Sequence, residues 1–472
     1  YATGLNYKVG HLARPMYLQR PGFALVTIRG DLHMPLDFDR RRLFQAAGTS
    51  SLLACLAHSA QAAADPQNQT LSLTEGKSQV PWPVWDDREA RALLDVLNSG
   101  QWGRLGDGQF VAQFEASFAQ ASRVGYCVAT SSGTTALLTA IGACDIGPGD
   151  EVILPPYTFV ATFNAITHNY ALPVFVDSDR QTFQLDATKL ASQITDQTKL
   201  IVPVHIGGSM ADVEAIGRLA KAKEIPMLED ACQAPLAHWR GQPSGAHGLA
   251  SCISFQASKN LSAGEGGAVL TNEQDFADRC YQFHTPGSGR STPSTGRGSN
   301  FRLTEFQAAI LSAQLARAEA HAAHRDRNAN YLTELLLQIP GIHPARLVDG
   351  CTRSAWHLYM FRYDLNHFEQ LPRSIFLAEL NKSGVAASSG YSSLNRSAHV
   401  LALANNRHYQ RIYGQKRMSD WMQRNVCPEN DRLCNEAVWL TQDKLLGTRG
   451  DMDRIAASIA AIQKRAAEIP RT

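Results

Sequence analysis

From Pro81 onward, short apolar and β-branched runs alternate with segments whose apolar residues recur at helical spacing. Runs of this length bounded by polar turns predict strands. They fall at Tyr126–Ala129, Glu151–Leu154, Leu172–Val176, Leu200–His205, Pro226–Glu229, Ala250–Phe255 and Ala268–Thr271. Helical spacing between them predicts helices such as Thr134–Ala143 and Met210–Lys223. From about Asn300 a long helical pattern runs through Phe306, Ile310, Leu311 and Leu315 towards Leu337 and is interrupted by Pro340. Strand and helix alternating in this way predict an α/β fold with a mostly parallel sheet and helices on both faces. The remainder changes character: a strand at His357–Tyr363, a helix at Arg373–Ser383, a loop around Gly390 and Tyr391, and a closing helix at Asp451–Ile469. The expected organisation is a large domain over 81–330 and a smaller α+β domain over 331–472. Thr285–Ser299, rich in Gly, Ser and Pro, reads as a long loop of the kind that is often functional.

The N-terminal part has a different pattern. From Met34, a candidate start, Arg40-Arg41-Arg42 precede Leu43 and Phe44, a weakly apolar run from Ala46 to Ala60, and Ala62-Ala63-Ala64. That is the anatomy of a twin-arginine export signal over 34–64; an amphipathic first helix is the competing reading. Leu52-Leu53-Ala54-Cys55 also resembles a lipoprotein box. The run is shorter than the ~20 apolar residues of a membrane span, so no stable span is expected. Residues 65–80 read as a polar linker, and residues 1–33 carry no strong pattern.

Composition narrows the partners. The chain has 472 residues, 45 basic and 43 acidic side chains, and a formal net charge of +2. Such a balance offers no overall field for nucleic acid or an anionic membrane, which leaves small molecules as the expected partners. The nine cysteines are scattered, with no Cys-x-x-Cys pair and no His spacing suited to zinc.

Four segments carry candidate chemistry. In ATSSGTTALLTAI (129–141) a strand breaks at Ser131-Ser132-Gly133 before a helix starting near Thr134; N–H groups at a helix start cradle phosphate, although a plain N-cap explains the pattern as well. PPYTFVATFNA (155–165) places Phe159 after a strand, where an aromatic ring can stack on a flat ligand or join the core. IPMLEDACQA (225–234) delivers Glu229 and Asp230 at a strand's carboxyl end with Gln233 beyond, and ligands of open α/β sheets bind at such ends. SCISFQASKNLSAGEGG (251–267) sets Lys259 in a loop closed by glycines, where an amine that loses its proton readily acts as nucleophile or base. Phosphate cradle, aromatic platform, carboxylate and lysine, in this order, describe a site for pyridoxal phosphate.

The motifs SSGTTAL (131–137), TFVAT (158–162), EDACQA (229–234), SFQASKNLSAGEGG (254–267) and GSNFRLTEFQAAILSAQL (298–315) resemble those of the DegT/DnrJ/EryC/StrS sugar aminotransferases, which are fold-type-I pyridoxal-phosphate enzymes. HLYMFRY (357–363) and CPENDRLCNEAVWLTQDKLLG (427–447) are similar to the branch holding aminohydroxybenzoate synthase and glutamine:scyllo-inosose aminotransferase. The resemblance implies that Lys259 is the Schiff-base lysine, Asp230 pairs with the pyridine nitrogen and Phe159 stacks on the ring. It also implies that Gln233 lies near the phenolic oxygen, and that Gly133, Thr134 and Ser254 hold the phosphate. Asn300 matches an asparagine that reaches the neighbouring subunit's phosphate, so a homodimer with composite sites follows from the resemblance. The implied activity is ping-pong transfer of an amino group from glutamine or glutamate to a keto sugar or keto cyclitol. A pyridoxal-phosphate lyase and a non-catalytic binding protein on the same fold are the alternatives. Two features depart from the family: an export signal in a family usually cytoplasmic, and Gly207 in HIGGSMAD (205–212), where an aromatic is more usual. His205 either faces substrate or is a satisfied core histidine.

Overall fold

Alternation along single strands sets the architecture. In β2 (Glu151–Leu154), Val152 and Leu154 enter one apolar core while Ile153 enters another, because successive side chains point to opposite faces. The sheet is therefore buried on both sides, which explains why its strands read as almost continuous apolar runs. The computed structural model describes residues 81–245, 247–286 and 296–471. The expected export signal (34–64), the linker (65–80), residues 1–33 and most of the Thr285–Ser299 loop lie outside the described residues.

The chain opens with α1 (Asp87–Ser99) and α2 (Phe110–Ala121), then β1 (Tyr126–Thr130), α3 (Gly133–Ala143), β2, α4 (Val160–His168) and β3 (Leu172–Phe175). It continues through β4 (Thr198–Ile201), α5 (Val213–Ala222), β5 (Leu228–Asp230), β6 (Ala250–Ser254), β7 (Gly267–Thr271) and α6 (Gln274–His284). Hydrogen bonding orders the strands β1-β7-β6-β5 and β4-β2-β3, and parallel bridges Ile201–Met227 and Val204–Asp230 join the two groups. Only β7 runs against its neighbours. The mostly parallel sheet expected from the sequence is thus present. β4 stops at Ile201 rather than running on to His205, because Pro203 has no N–H to continue a ladder.

The long helix α7 (Glu305–Leu336) starts at a Thr304 capping box rather than at Asn300. It crosses from the core under the large sheet, through Ala308 and Leu311, to a second core at Leu332 and Leu336. That second core is covered by an antiparallel sheet, β8 (Ile342–Pro344), β9 (Leu358–Tyr363) and β10 (Ala437–Thr441), with α8 (Arg373–Lys382) and α11 (Arg449–Lys464). Between α8 and β10 the chain leaves this unit. A division at 330 places in the C-terminal unit a stretch, Leu394 to Cys427 with α9 (Arg407–Arg424), that packs on the large sheet's core. Tyr409 Oη donates to Ala171 O at 2.9 Å and Tyr413 Oη to Tyr170 O at 2.7 Å, while Arg424 pairs with Glu151 at 3.0 Å. α10 (Pro428–Glu436) leads back into β10.

Candidate active site

The carboxyl ends of β1, β2, β5 and β6 open on one cavity of about 650 Å³. Gly133, Thr134, Phe159, Asp230, Gln233, Ser254 and Lys259, all singled out from the sequence, line it. Asn300 does not; it is exposed and its Oδ1 accepts from Arg302 N at 3.4 Å.

The cradle is local in origin. Ser132 Oγ takes the Thr135 N–H at 3.1 Å and Thr135 Oγ1 takes the Ser132 N–H at 2.8 Å, a reciprocal cap that starts α3. The first N–H groups of a helix have no intrahelical acceptor, so those of Gly133 and Thr134 remain for a ligand, at the positive end of the helix dipole. Gly133 is required by close approach: a Cβ there would fall 2.6 Å from Ser254 Cβ. The GEGG segment has the same logic, since a Cβ at Gly267 would run into the Ser132 carbonyl. Gly264 and Gly266 take φ of +81° and +152°, which let the loop carrying Lys259 close on itself through Ala257 N to Gly264 O (2.9 Å) and Phe255 N to Gly266 O (2.8 Å).

Phe159 sits at the N-cap of α4 and is 57% exposed. Its near neighbour Phe163 is buried and stacked on Phe175. A large ring left open at a cavity wall fits a platform for a flat ligand, not a core position.

Adjacent carboxylates on β5 part company. Glu229 is fully buried, accepts from the N–H groups of His247 and Gly248, and lies 2.9 Å from His205 Nε2. His205 Nδ1 accepts from Ala211 N, which places the ring proton on Nε2, pointing at Glu229. Burial alone would raise the Glu229 carboxyl, but the His205 hydrogen bond and the neighbouring imidazoles leave it lowered. His205 is therefore the satisfied core histidine of the two readings. Asp230 faces the other way, into the cavity, with Oδ2 accepting from Thr162 Oγ1 at 2.7 Å and Oδ1 from Cys232 N at 3.2 Å.

Lys259 is half-buried. Burial lowers its amine pKa, opposed by Cys232 and Asp230, so more of it stands as free base than in a solvated lysine. Gln233 is held at both ends of its amide: Oε1 accepts from Gly207 N at 2.8 Å and Nε2 donates to Tyr391 Oη at 3.0 Å. Gly207, the departure in HIGGSMAD, has φ +67°, a conformation that favours glycine, and a Cβ there would press on the end of the Met360 side chain; its N–H serves Gln233.

Sequence reasoning missed several residues of the wall. Thr162 stood inside a quoted motif, three residues after Phe159 and thus on the same helical face, which is a usable signal. His357, Trp82, Gln442 and Asp443 also line the cavity, brought there by contacts distant in sequence.

A helix-start anion cradle, an open aromatic platform, a buried carboxylate and a lysine of lowered pKa, gathered at the strand ends of a mostly parallel sheet, define a fold-type-I enzyme of the aminotransferase class. The chain belongs to the DegT/DnrJ/EryC1/StrS aminotransferase family, whose model matches residues 83–460. It is 33% identical over 390 residues to 3-amino-5-hydroxybenzoate synthase of Amycolatopsis mediterranei, covering 82% of this chain and 97% of that protein. It is 34% identical over 410 residues to L-glutamine:2-deoxy-scyllo-inosose aminotransferase of Streptoalloteichus tenebrarius, covering 82% and 96%. A crystal structure of 3-amino-5-hydroxybenzoic acid synthase superposes with a TM-score of 0.72 at 31% identity, covering 82% of this chain and 99% of that one. The chain is accordingly a transaminase, and the family implies pyridoxal phosphate.

Proposed function

We propose that this protein moves an amino group from L-glutamine or L-glutamate to a keto cyclitol or keto sugar, using pyridoxal phosphate bound in the cavity described above. The carrying observation is that Lys259, with its lowered pKa, shares one cavity with the Asp230 carboxylate and the α3 cradle. The donor and the acceptor class come from what the relatives are named for.

The residues fit the cofactor. Gly133 leaves no room for a side chain between the helix start and Ser254, Phe159 is an open ring, and Asp230 is a buried carboxylate aimed into the cavity. The N–H groups of Gly133 and Thr134 with Ser254 Oγ would hold the phosphate, Phe159 the ring face, and Gln233 Nε2 the phenolic oxygen. When bound, the cofactor supplies an electron sink for the donor's Cα. Asp230, its two oxygens fixed by Thr162 and Cys232, would hold a proton at the ring nitrogen. Lys259 Nζ would supply the amine that anchors the cofactor and the base that moves the proton of the donor's Cα. Asn300 is assigned to the cradle of a second copy in a homodimer, in keeping with its exposure and its absence from the lining of its own cavity.

The test is the visible absorption of wild-type protein beside Lys259→Ala, before and after L-glutamine. A band present in the wild type, absent in the variant and bleached by the donor is expected. A wild type that takes up no chromophore from added pyridoxal phosphate overturns the reading. A bound chromophore that glutamine and glutamate both leave unchanged overturns the donor assignment.

A further inference from the structure

Behind the cavity wall stands a cation that the chemistry above does not use. Arg325, on α7, is 1% exposed, and no carboxylate among the described residues forms an ion pair with it. Its Nε and Nη2 both donate to Gln442 Oε1, the first at 2.9 Å, and its guanidinium carbon lies 5.2 Å from the centre of the Trp82 ring. Arg325 does not reach the cavity, whereas Gln442 and Trp82 line it. Burial pulls the guanidinium down to about 9, with Asp443 opposing, so it remains a cation at neutral pH.

A guanidinium carries donors only. It therefore decides which way the Gln442 amide faces: turning the amide over would set its NH2 against the Arg325 N–H groups. Oε1 is used behind the wall, and Nε2 is the end left to serve the cavity. The next residue, Asp443, also lines the cavity, with its carboxylate 3.0 Å from Lys444 Nζ. A directed donor and an acceptor thus stand side by side in one stretch of wall. Adjacent hydroxyls, each able to donate and accept, match such a pair. Lys259, the only lysine or arginine lining this cavity among the described residues, stands with the groups assigned to the cofactor, so no cation is supplied beside Gln442 and Asp443 for an anionic acceptor group.

We infer that Arg325 is a positioning residue for the acceptor: by holding Gln442 Oε1 it aims the Gln442 Nε2–H at an oxygen of an uncharged polyhydroxy ring, with Asp443 accepting from the neighbouring hydroxyl. This deepens the transaminase reading and rests on it.

Gln442→Glu separates this role from a structural one. The variant is nearly isosteric and gives Arg325 a carboxylate partner, but it removes the donor. Its melting temperature is expected to hold or rise, while the KM for a keto cyclitol such as scyllo-inosose rises about tenfold more than the KM for L-glutamine. Calorimetric affinity for myo-inositol, a ring polyol without a keto group, should fall by a similar factor. Arg325→Lys keeps the charge without the two-pronged grip and should shift both readouts in the same direction by less. Equal effects on both KM values, an unchanged myo-inositol affinity, or wild-type preference for a nucleotide-linked keto sugar would overturn the inference. If wild-type protein fails the donor half-reaction, the transaminase reading falls, and myo-inositol binding by wild type and Gln442→Glu still decides whether the wall reads a neutral ring.

Discussion

Two sides of one cavity are built over different distances along the chain. On the strand-edge side, each group is fixed by near neighbours: Ser132 by Thr135, the Lys259 backbone by Gln256, and Asp230 partly by Cys232. On the other side the partners are remote. Gln233 meets Tyr391 158 residues away, Gln442 meets Arg325 117 away, His357 meets Asn260 97 away, and the Trp82 ring donates to Ala257 O across 175 residues. The local side holds groups that any cofactor-dependent relative needs. The remote side exists only when α7, β9 and β10 have come together.

The sharpest way to break this comparison is to injure the local side without disturbing the fold. Asp230→Asn keeps shape, the Cys232 N–H bond and, with the Thr162 hydroxyl turned to accept, its second neighbour, but cannot carry the charge that holds a ring proton, and should lower kcat by roughly 10²–10⁴. Single-turnover kinetics of the donor half-reaction measure it; a loss below threefold would return Asp230 to the role of a turn residue. Next comes a pair of phenylalanines four residues apart. Phe163→Ala, buried against Phe175, should cost about 3–5 kcal/mol of stability, read by denaturant unfolding. Phe159→Ala should cost under about 1 kcal/mol, because its ring is already half exposed, while weakening cofactor retention in equilibrium dialysis. Equal stability losses in the two would make Phe159 a core residue.

On the remote side the effects are smaller. Tyr391→Phe removes one support of the Gln233 amide and leaves Gly207 N–H in place, so a cost of about 1 kcal/mol is expected. It should appear as a shift in the pH titration of the cofactor's visible band rather than as lost stability. A pH-dependent effect concerns His357. Burial holds its imidazole well below 6.5, reinforced by Lys259 and Arg325. The unfolded chain takes up a proton below about pH 6.5 and the folded chain does not, so the stabilising contribution is present above that pH and lost as pH falls below it. The slope is at most ~1.4 kcal/mol per pH unit, and His357→Gln should flatten the decline in melting temperature between neutral pH and pH 5.

How far the sequence was legible follows from the same contrast. β2 was read with its observed bounds, and α3 within a residue, because period-two and helical patterns are local. SSGTT, EDACQ and the glycine-closed lysine loop disclosed one wall of the cavity, since caps, strand ends and positive-φ glycines are written in adjacent residues. The role of Gly207 was not readable: its N–H matters because Gln233, distant in sequence, lies against it. The stretch from Leu394 to Cys427 gave no sign that it returns to the large sheet, because an amphipathic segment states that it has a partner but not which one. Arg325 was hidden for a further reason. Arginine in a long helical pattern is normally solvated, and nothing in the neighbouring residues says that Gln442 and Trp82 will cover it.

The return of Leu394–Cys427 bears on how the molecule comes into being. Protein synthesis is vectorial, and domains generally fold as units with the N-terminal one first. Here part of the earlier-made sheet has its partners late in the chain: Ala171, Tyr170 and Glu151 bond Tyr409, Tyr413 and Arg424, which leave the ribosome hundreds of residues later. A nascent chain halted before that stretch would leave the part of the core that it covers open to water. The cavity described above is complete only once β10 and the residues that follow it have been made and docked.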